Sequence, residues 1–169
     1  FRTSSTAFIP GIVSKLGPNP DFNGCSLDMD AGQLRFAMSG GLSGVLDVYT
    51  TATWNDNAWH HVAVSYNGTM SAGGVIFTVD GAVVAKDTPV SDDLSNNSTS
   101  SADFRIGSRM YSGFFDGKID EVAVYGRVLN LTETRAIYNS GNPVNNVDLS
   151  TGPDLLGYWR MGDDQTVTW

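Results

Sequence analysis

The stretch V-I-F-T-V-D-G-A-V-V-A-K, residues 75–86, constrains the fold more than any other part of the chain. Two runs of β-branched and aromatic residues flank Asp80-Gly81, and that dipeptide supplies the positive φ angles a two-residue primed turn requires. The pattern predicts a tight antiparallel hairpin. Similar runs recur at intervals of about ten residues, ended by turn signals such as Ala31-Gly32 and Asn67-Gly68, and this spacing argues for a sandwich or barrel. The expected strands are 11–15, 25–29, 33–38, 44–49, 60–66, 75–79, 82–86, 104–108, 118–125 and 155–161. Residues 18–24 and 91–101 are polar, unpatterned and expected as long loops.

Composition supports a turn-rich β protein. Only 17% of the residues are charged, below the roughly 25% of ordinary soluble domains. The 169 residues fit one domain with one core, 1–169. A start at Phe1 rather than Met and an end at Trp169 suggest a segment of a longer chain. Cys25 is the single cysteine, so no intrachain disulfide forms and the redox compartment stays open. With 18 acidic against 10 basic residues, the net charge of -8 repels phosphate backbones and anionic lipid surfaces, and nucleic acid is not an expected partner. No apolar run approaches the roughly 20 residues that cross a bilayer, so membrane insertion is not expected.

One short helix is expected over 130–140. Asn130 is placed to cap the first turn, Glu133 to reach back in a capping box, and Gly141 to take the left-handed position after the last turn, with Pro143 barring continuation. Leu131, Ile137 and Tyr138 then share an apolar side that docks on the sandwich as a lid.

The adjacent histidines of W-H-H-V-A-V-S-Y-N-G look like chemistry. On a strand, however, His60 aligns with Val62, Val64 and Tyr66, and His61 with Trp59, Ala63 and Ser65, so the two rings diverge. Trp59 and His61 are accordingly read as structural residues, and a zinc site is not expected. The same parity places Asp120 with Val122 and Val124. If that face is interior, loop N–H groups, Arg127 or a cation must meet the carboxylate.

W-H-H-V-A-V-S-Y-N-G, V-I-F-T-V-D-G, F-D-G-K-I-D-E-V-A-V-Y-G-R-V-L-N and L-L-G-Y-W-R-M, in this order and spacing, resemble the laminin-G-like domains of the concanavalin A-like superfamily. The opening F-R-T is similar to the tail of their first long strand, and G-Y-W-R-M-G-D-D resembles such domains in virion proteins of tailed phages. The resemblance implies an all-β, two-sheet antiparallel jelly-roll sandwich, extracellular or in a virion. It implies a domain that is usually non-catalytic and binds carbohydrate or other protein subunits, sometimes through calcium held by rim loops.

Within that implication, Trp54, Tyr111, Phe114 and Phe115 are the aromatic candidates for a ligand. Calcium takes six to eight oxygen ligands. The oxygen-rich stretches 55–57, 92–93 and 163–164 include Asp56, Asp92 and Asp93 as candidate ligands, although acidic loops are more often simply solvated. A decoration or assembly role in a virion shell, with no sugar ligand, is the alternative function. Glycoside hydrolysis ranks last. The family's hydrolases resemble one another in an E-x-D-x-E strand motif, whereas this chain has only Glu121 and Glu133; Asp28 and Asp30 share a strand face without matching the motif. No catalytic residue is assigned.

Overall fold

The computed structural model describes residues 1–17, 22–41, 44–96, 98–110, 112–141 and 154–161. Its main layer is a six-stranded antiparallel sheet. The members are β1 (Gly11–Leu16), β2 (Gly24–Asp30), β3 (Gln33–Ser39), β4 (Val45–Thr53), β8 (Ser91–Asp92) and β9 (Arg105–Ile106), in the order β8-β4-β3-β2-β1-β9. A three-stranded ladder of β5 (Val62–Tyr66), β6 (Val75–Val79) and β7 (Ala82–Val83) faces it. Shorter pairs join β10 (Ser108–Arg109) to β11 (Ser112–Phe114) and β12 (Val122–Tyr125) to β13 (Leu155–Trp159). The fold is an antiparallel jelly-roll sandwich with one short helix.

Alternation builds the core. Met29, Leu34, Leu46 and Val48 project from one face of the large sheet, and a bulge in β1 brings Ile12 to the same side. They meet Val75, Phe77 and Val79, the inward parity of β6. Each such side chain contributes roughly 1.5–3 kcal/mol on burial. The opening residues lace the second layer together: the His60 N–H donates to the Phe1 carbonyl at 2.8 Å, and Arg2 and Lys118 exchange backbone hydrogen bonds at 2.8 Å.

The hairpin forms as expected, with Val79 opposite Ala82 and φ of 49° at Asp80 and 75° at Gly81. The helix, α1 (Leu131–Tyr138), carries the full capping box between Asn130 and Glu133. Its left-handed stop begins at Asn139 (φ 44°) and continues through Ser140 (φ 56°) to Gly141 (φ 83°), earlier than the glycine alone suggested. Pro143 lies outside the described residues. Tyr138 packs on the His61 ring at 5.7 Å between centroids, and the Arg135 guanidinium donates to the Gly81 carbonyl at 2.8 Å. The helix is therefore a lid on the hairpin turn.

Four expectations need correction. The strand expected over 104–108 is split at Gly107 (φ 77°) into β9 and β10, which belong to different sheets. Residues 82–86 do not form one strand: after Val84, whose N–H still donates to Phe77, the chain crosses to the large sheet, where the Thr51 N–H donates to the Ala85 carbonyl and the Asp87 N–H to the Tyr49 carbonyl, both at 3.0 Å. The stretch 91–101 is not wholly a loop, because Ser91–Asp92 pair with the edge of β4 as β8. Edge pairing uses backbone groups, which a polar sequence supplies as well as an apolar one. Finally, Glu121 has φ 52°, so the strand expected over 118–125 starts only at Val122 and the alternation that aligned Asp120 with Val122 is broken.

The turn gives a direct test. A Cβ at Gly81 would stand 2.8 Å from Tyr138 Cδ1, on a backbone that L-residues disfavour. Gly81→Ala is expected to lower the unfolding free energy by about 1–3 kcal/mol in urea titration. An unchanged midpoint would show that the helix does not hold this turn.

Candidate functional site

The second face of the large sheet is polar yet buried. Alternation puts Ser14, Ser26, Asp28, Arg35, Ala37, Asp47 and Tyr49 on it, opposite the core residues of the same strands. Asp28 is 0%, Arg35 6% and Asp47 8% exposed. The cover is partly backbone: the Ser14 hydroxyl donates to the Ser108 carbonyl at 2.9 Å, and a Cβ at Gly11 would lie 2.5 Å from Ser108 C and Arg109 N. Only glycine at position 11 lets β10 lie this close. That approach sets the Arg109 side chain beside Asp28, the residue opposite Gly11 in the β1–β2 register.

The centre is a guanidinium held by two carboxylates. Arg35 Nε and Nη2 donate to the two oxygens of Asp47, each at 2.7 Å, and Nη1 donates to Asp28 Oδ2 at 2.9 Å. The Ser26 hydroxyl donates to the same Asp28 oxygen at 2.7 Å, and the Tyr49 ring lies 5.8 Å from the guanidinium carbon. Asp28 and Arg35 are direct cross-strand partners. Asp28 Oδ1 accepts no hydrogen bond among the described residues. Burial pushes the Asp28 carboxyl up to about 6, against the opposing pull of Ser26, Arg109 and Arg35.

Over this network lies a groove of about 360 Å³, walled by Leu16, Phe22, Met38 and Val45 and by the polar Arg35, Asp47 and Arg109. A second cavity of about 220 Å³, lined by Phe8, Ile9, Met110 and Gly113, also ends on Arg109. The arrangement joins an apolar wall, with Phe22 37% exposed, to charged groups already fixed in place. Such a surface can receive a ligand having both an apolar face and a polar edge.

The candidates named from the sequence sit elsewhere. Trp54 packs against the core, with its ring edge on His60 at 5.3 Å and its Nε1 donating to Thr50 Oγ1 at 3.3 Å. Phe115 also packs inward, edge-on to Phe1 at 6.1 Å. Neither is displayed to a ligand. Phe114 is 72% exposed but does not line the groove, and Tyr111 lies outside the described residues. Trp59 is 50% exposed, so the structural role assigned to it is not one of core packing.

The histidines do diverge, although both precede β5. His60 Nδ1 lies 2.8 Å from Asp80 Oδ2 and its Nε2 3.0 Å from Asp56 Oδ1, while the His61 ring turns to Tyr138 and burial lowers its pKa. Asp80 also accepts the His61 N–H at 2.9 Å, a brace that the turn signal alone concealed.

Each of the three calcium candidates accepts a backbone N–H. Asp56 accepts from the Ala58 N–H at 2.8 Å, Asp92 from the Ala72 N–H at 2.7 Å, and Asp93 from the Val45 N–H at 2.8 Å. No group of three or more His, Cys, Asp or Glu placed to hold a metal occurs among the described residues, so these aspartates do not fit a shared ion. Residues 163–164 lie outside the described residues. Asp120 receives the Glu121 N–H at 2.9 Å; Arg127 instead forks onto Glu133 and draws that carboxyl down to about 2.

The sequence does not single out the charge network, because Asp28, Arg35 and Asp47 lie on three separate strands and each merely alternates with apolar neighbours. The usable signal was register: S-L-D-M-D and Q-L-R-F-A flank the Ala31-Gly32 turn, which sets Asp28 opposite Arg35. Because the folded Asp28 carboxyl lies near 6 rather than 3.8, folding draws a proton onto it between those values. Its contribution is therefore most favourable below roughly pH 4 and falls by about 3 kcal/mol as pH rises through 6. The native-minus-Asp28→Asn difference in unfolding free energy should shift by that amount between about pH 4 and pH 7. An equal difference at both pH values would contradict the burial cost.

The family model described as the concanavalin A-like lectin/glucanases superfamily, Laminin_G_3, matches residues 3–135. No curated protein and no solved structure matches the chain. The six-stranded sheet, its apolar partner ladder and the matched sequence agree: the chain belongs to the laminin-G-like domains of the concanavalin A-like lectin/glucanases superfamily.

Proposed function

We propose that the domain is a non-catalytic carbohydrate-binding module, in an extracellular or virion-surface setting, whose ligand lies in the groove above Arg35 and Asp47. The observation that carries this reading is the pairing of half-exposed Phe22 with fixed charged groups along one groove. A sugar ring has an apolar C–H face that stacks on an aromatic wall and a hydroxyl edge that bonds to planar polar groups. Arg35 and Asp47 hold each other's geometry before any ligand arrives, which lowers the ordering cost of binding.

The same network argues against hydrolysis. A retaining mechanism needs two carboxyl groups about 5–5.5 Å apart, one free to attack and one free to give a proton. Asp28 is fully buried and bonded to Arg35 and Ser26, and both oxygens of Asp47 are committed to Arg35. Neither carboxylate is free for the attacking or proton-giving step.

A second reading, docking on other protein subunits in a surface or virion assembly, draws on the strongly exposed apolar side chains Phe8, Val90, Phe114 and Leu156. Light scattering separates the two, since concentration-dependent association without saccharide binding favours assembly. For the carbohydrate reading, a glycan array followed by calorimetry on the best hit is the test. Phe22→Ala should weaken that hit at least about tenfold, or roughly 1.4 kcal/mol, while Trp59→Ala, outside the groove, leaves it unchanged. Absence of any hit, with and without calcium, overturns the proposal.

A further inference from the structure

We infer that Asn67 is a self-modifying site: in the folded chain its side-chain amide converts spontaneously, through a cyclic imide formed with Gly68, to aspartate and isoaspartate. Only water is consumed and no other molecule takes part.

The dipeptide Asn-Gly occurs twice in the chain, at 67–68 and at 23–24. The fold treats the two differently. Conversion requires the Gly68 backbone nitrogen to reach Asn67 Cγ. Glycine has no β-carbon to hinder that approach, and Gly68, at φ 81°, has no atom within 4 Å of the place a Cβ would take. Residues 67–70, which follow β5, are all exposed. The Gly68 nitrogen loses its proton to solvent and bonds to Cγ; the bond from Cγ to Nδ2 breaks, and Nδ2 takes up a proton and leaves as ammonia. Water then opens the five-membered imide at one carbonyl, giving aspartate, or at the other, giving isoaspartate. The balance is one water in and one ammonia out.

The turn also prepares the carbonyl for attack. Asn67 Oδ1 accepts the Thr69 N–H at 3.2 Å and the Thr69 hydroxyl at 2.8 Å. Negative charge gathers on this oxygen as nitrogen adds to Cγ, so two donors already aimed at it stabilise the tetrahedral stage as an oxyanion hole does. Gly74 makes room for the arrangement, because a Cβ there would collide with both Asn67 Oδ1 and Thr69 Oγ1. The Asn67 N–H donates to the Gly74 carbonyl at 3.2 Å and holds the turn in this form. Asn23 has neither advantage. Gly24 is buried, pairs with both Leu16 and Ser39, and lies so near the Lys15 carbonyl that a Cβ would collide with it. Asn23 Oδ1 is buried and has no hydrogen-bond donor among the described residues.

Isoaspartate routes the main chain through the former side chain and so adds a methylene directly after the last rung of the β5–β6 ladder, Tyr66 opposite Val75. The same connection is tied to the large sheet, since the Ala72 N–H donates to Asp92 on β8 at 2.7 Å. The converted chain is therefore the less stable one, and it carries one more negative charge than the -8 of the original.

The test is a long incubation of the native chain at mildly alkaline pH beside the same chain unfolded in guanidinium, followed by peptide mass spectrometry with enzymatic labelling of isoaspartate. Asn67 should convert in both samples and Asn23 only in the unfolded one. Thr69→Ala should slow conversion in the folded chain by at least about threefold, Thr69→Ser should keep the native rate, and unfolding curves should confirm that both variants fold. The converted fraction, separated by its charge, should unfold at lower denaturant. Asn67 left intact in the native chain while it converts in guanidinium overturns the inference. Equal conversion of Asn23 and Asn67 in the native chain also overturns it, as does a rate that Thr69→Ala leaves unchanged or raises.

Discussion

A guanidinium enclosed between two carboxylates on the face of a sheet is the constraint on which the rest of this domain depends. Charges there are costly to bury unless paired and hydrogen-bonded, because desolvation costs several kcal/mol per ion. Arg35 meets that demand with three donors to Asp28 and Asp47. The three residues sit on three adjacent strands, β2, β3 and β4, so the ion network also fixes the register of the sheet from the side opposite the core. A one-residue slip of any one of these strands would carry its charge into the apolar layer.

The two faces of the large sheet thus divide the labour. One packs Met29, Leu34, Leu46 and Val48 onto β6 and supplies most of the hydrophobic stabilisation. The other gives up apolar burial for an ordered polar surface. Replacing a buried ion cluster by hydrophobic residues is often neutral or stabilising, so stability alone does not account for this one. The proposed binding groove, which would need fixed polar groups, gives it a use. Gly11 belongs to the same arrangement, since it admits the β10 backbone and with it Arg109.

Much of this was legible in the sequence, and what was not has identifiable physical causes. Asp80-Gly81, the Asn130–Glu133 capping box and the alternation of β1 to β6 depend on local rules and emerged with bounds close to the expected ones. Glu121 escaped because a single left-handed residue leaves no compositional trace, yet it resets strand parity. Trp54 and Phe115 were read as displayed because their cover comes from Phe1 and His60, remote in sequence. The groove over the ion network escaped for a related reason: each strand alone shows a polar face, and only the cover supplied by residues near 108–109 makes it interior.

The most direct test of the account is an amide NMR titration of the isotope-labelled chain with the saccharide that binds best. If the ionic face is the ligand site, shifts concentrate at Leu16, Phe22, Ala37, Val45 and Arg109 and leave His61, Tyr138 and Phe114 unmoved. Shifts centred on the helix and hairpin, or around Phe114 and Trp59, with the groove silent, would contradict it.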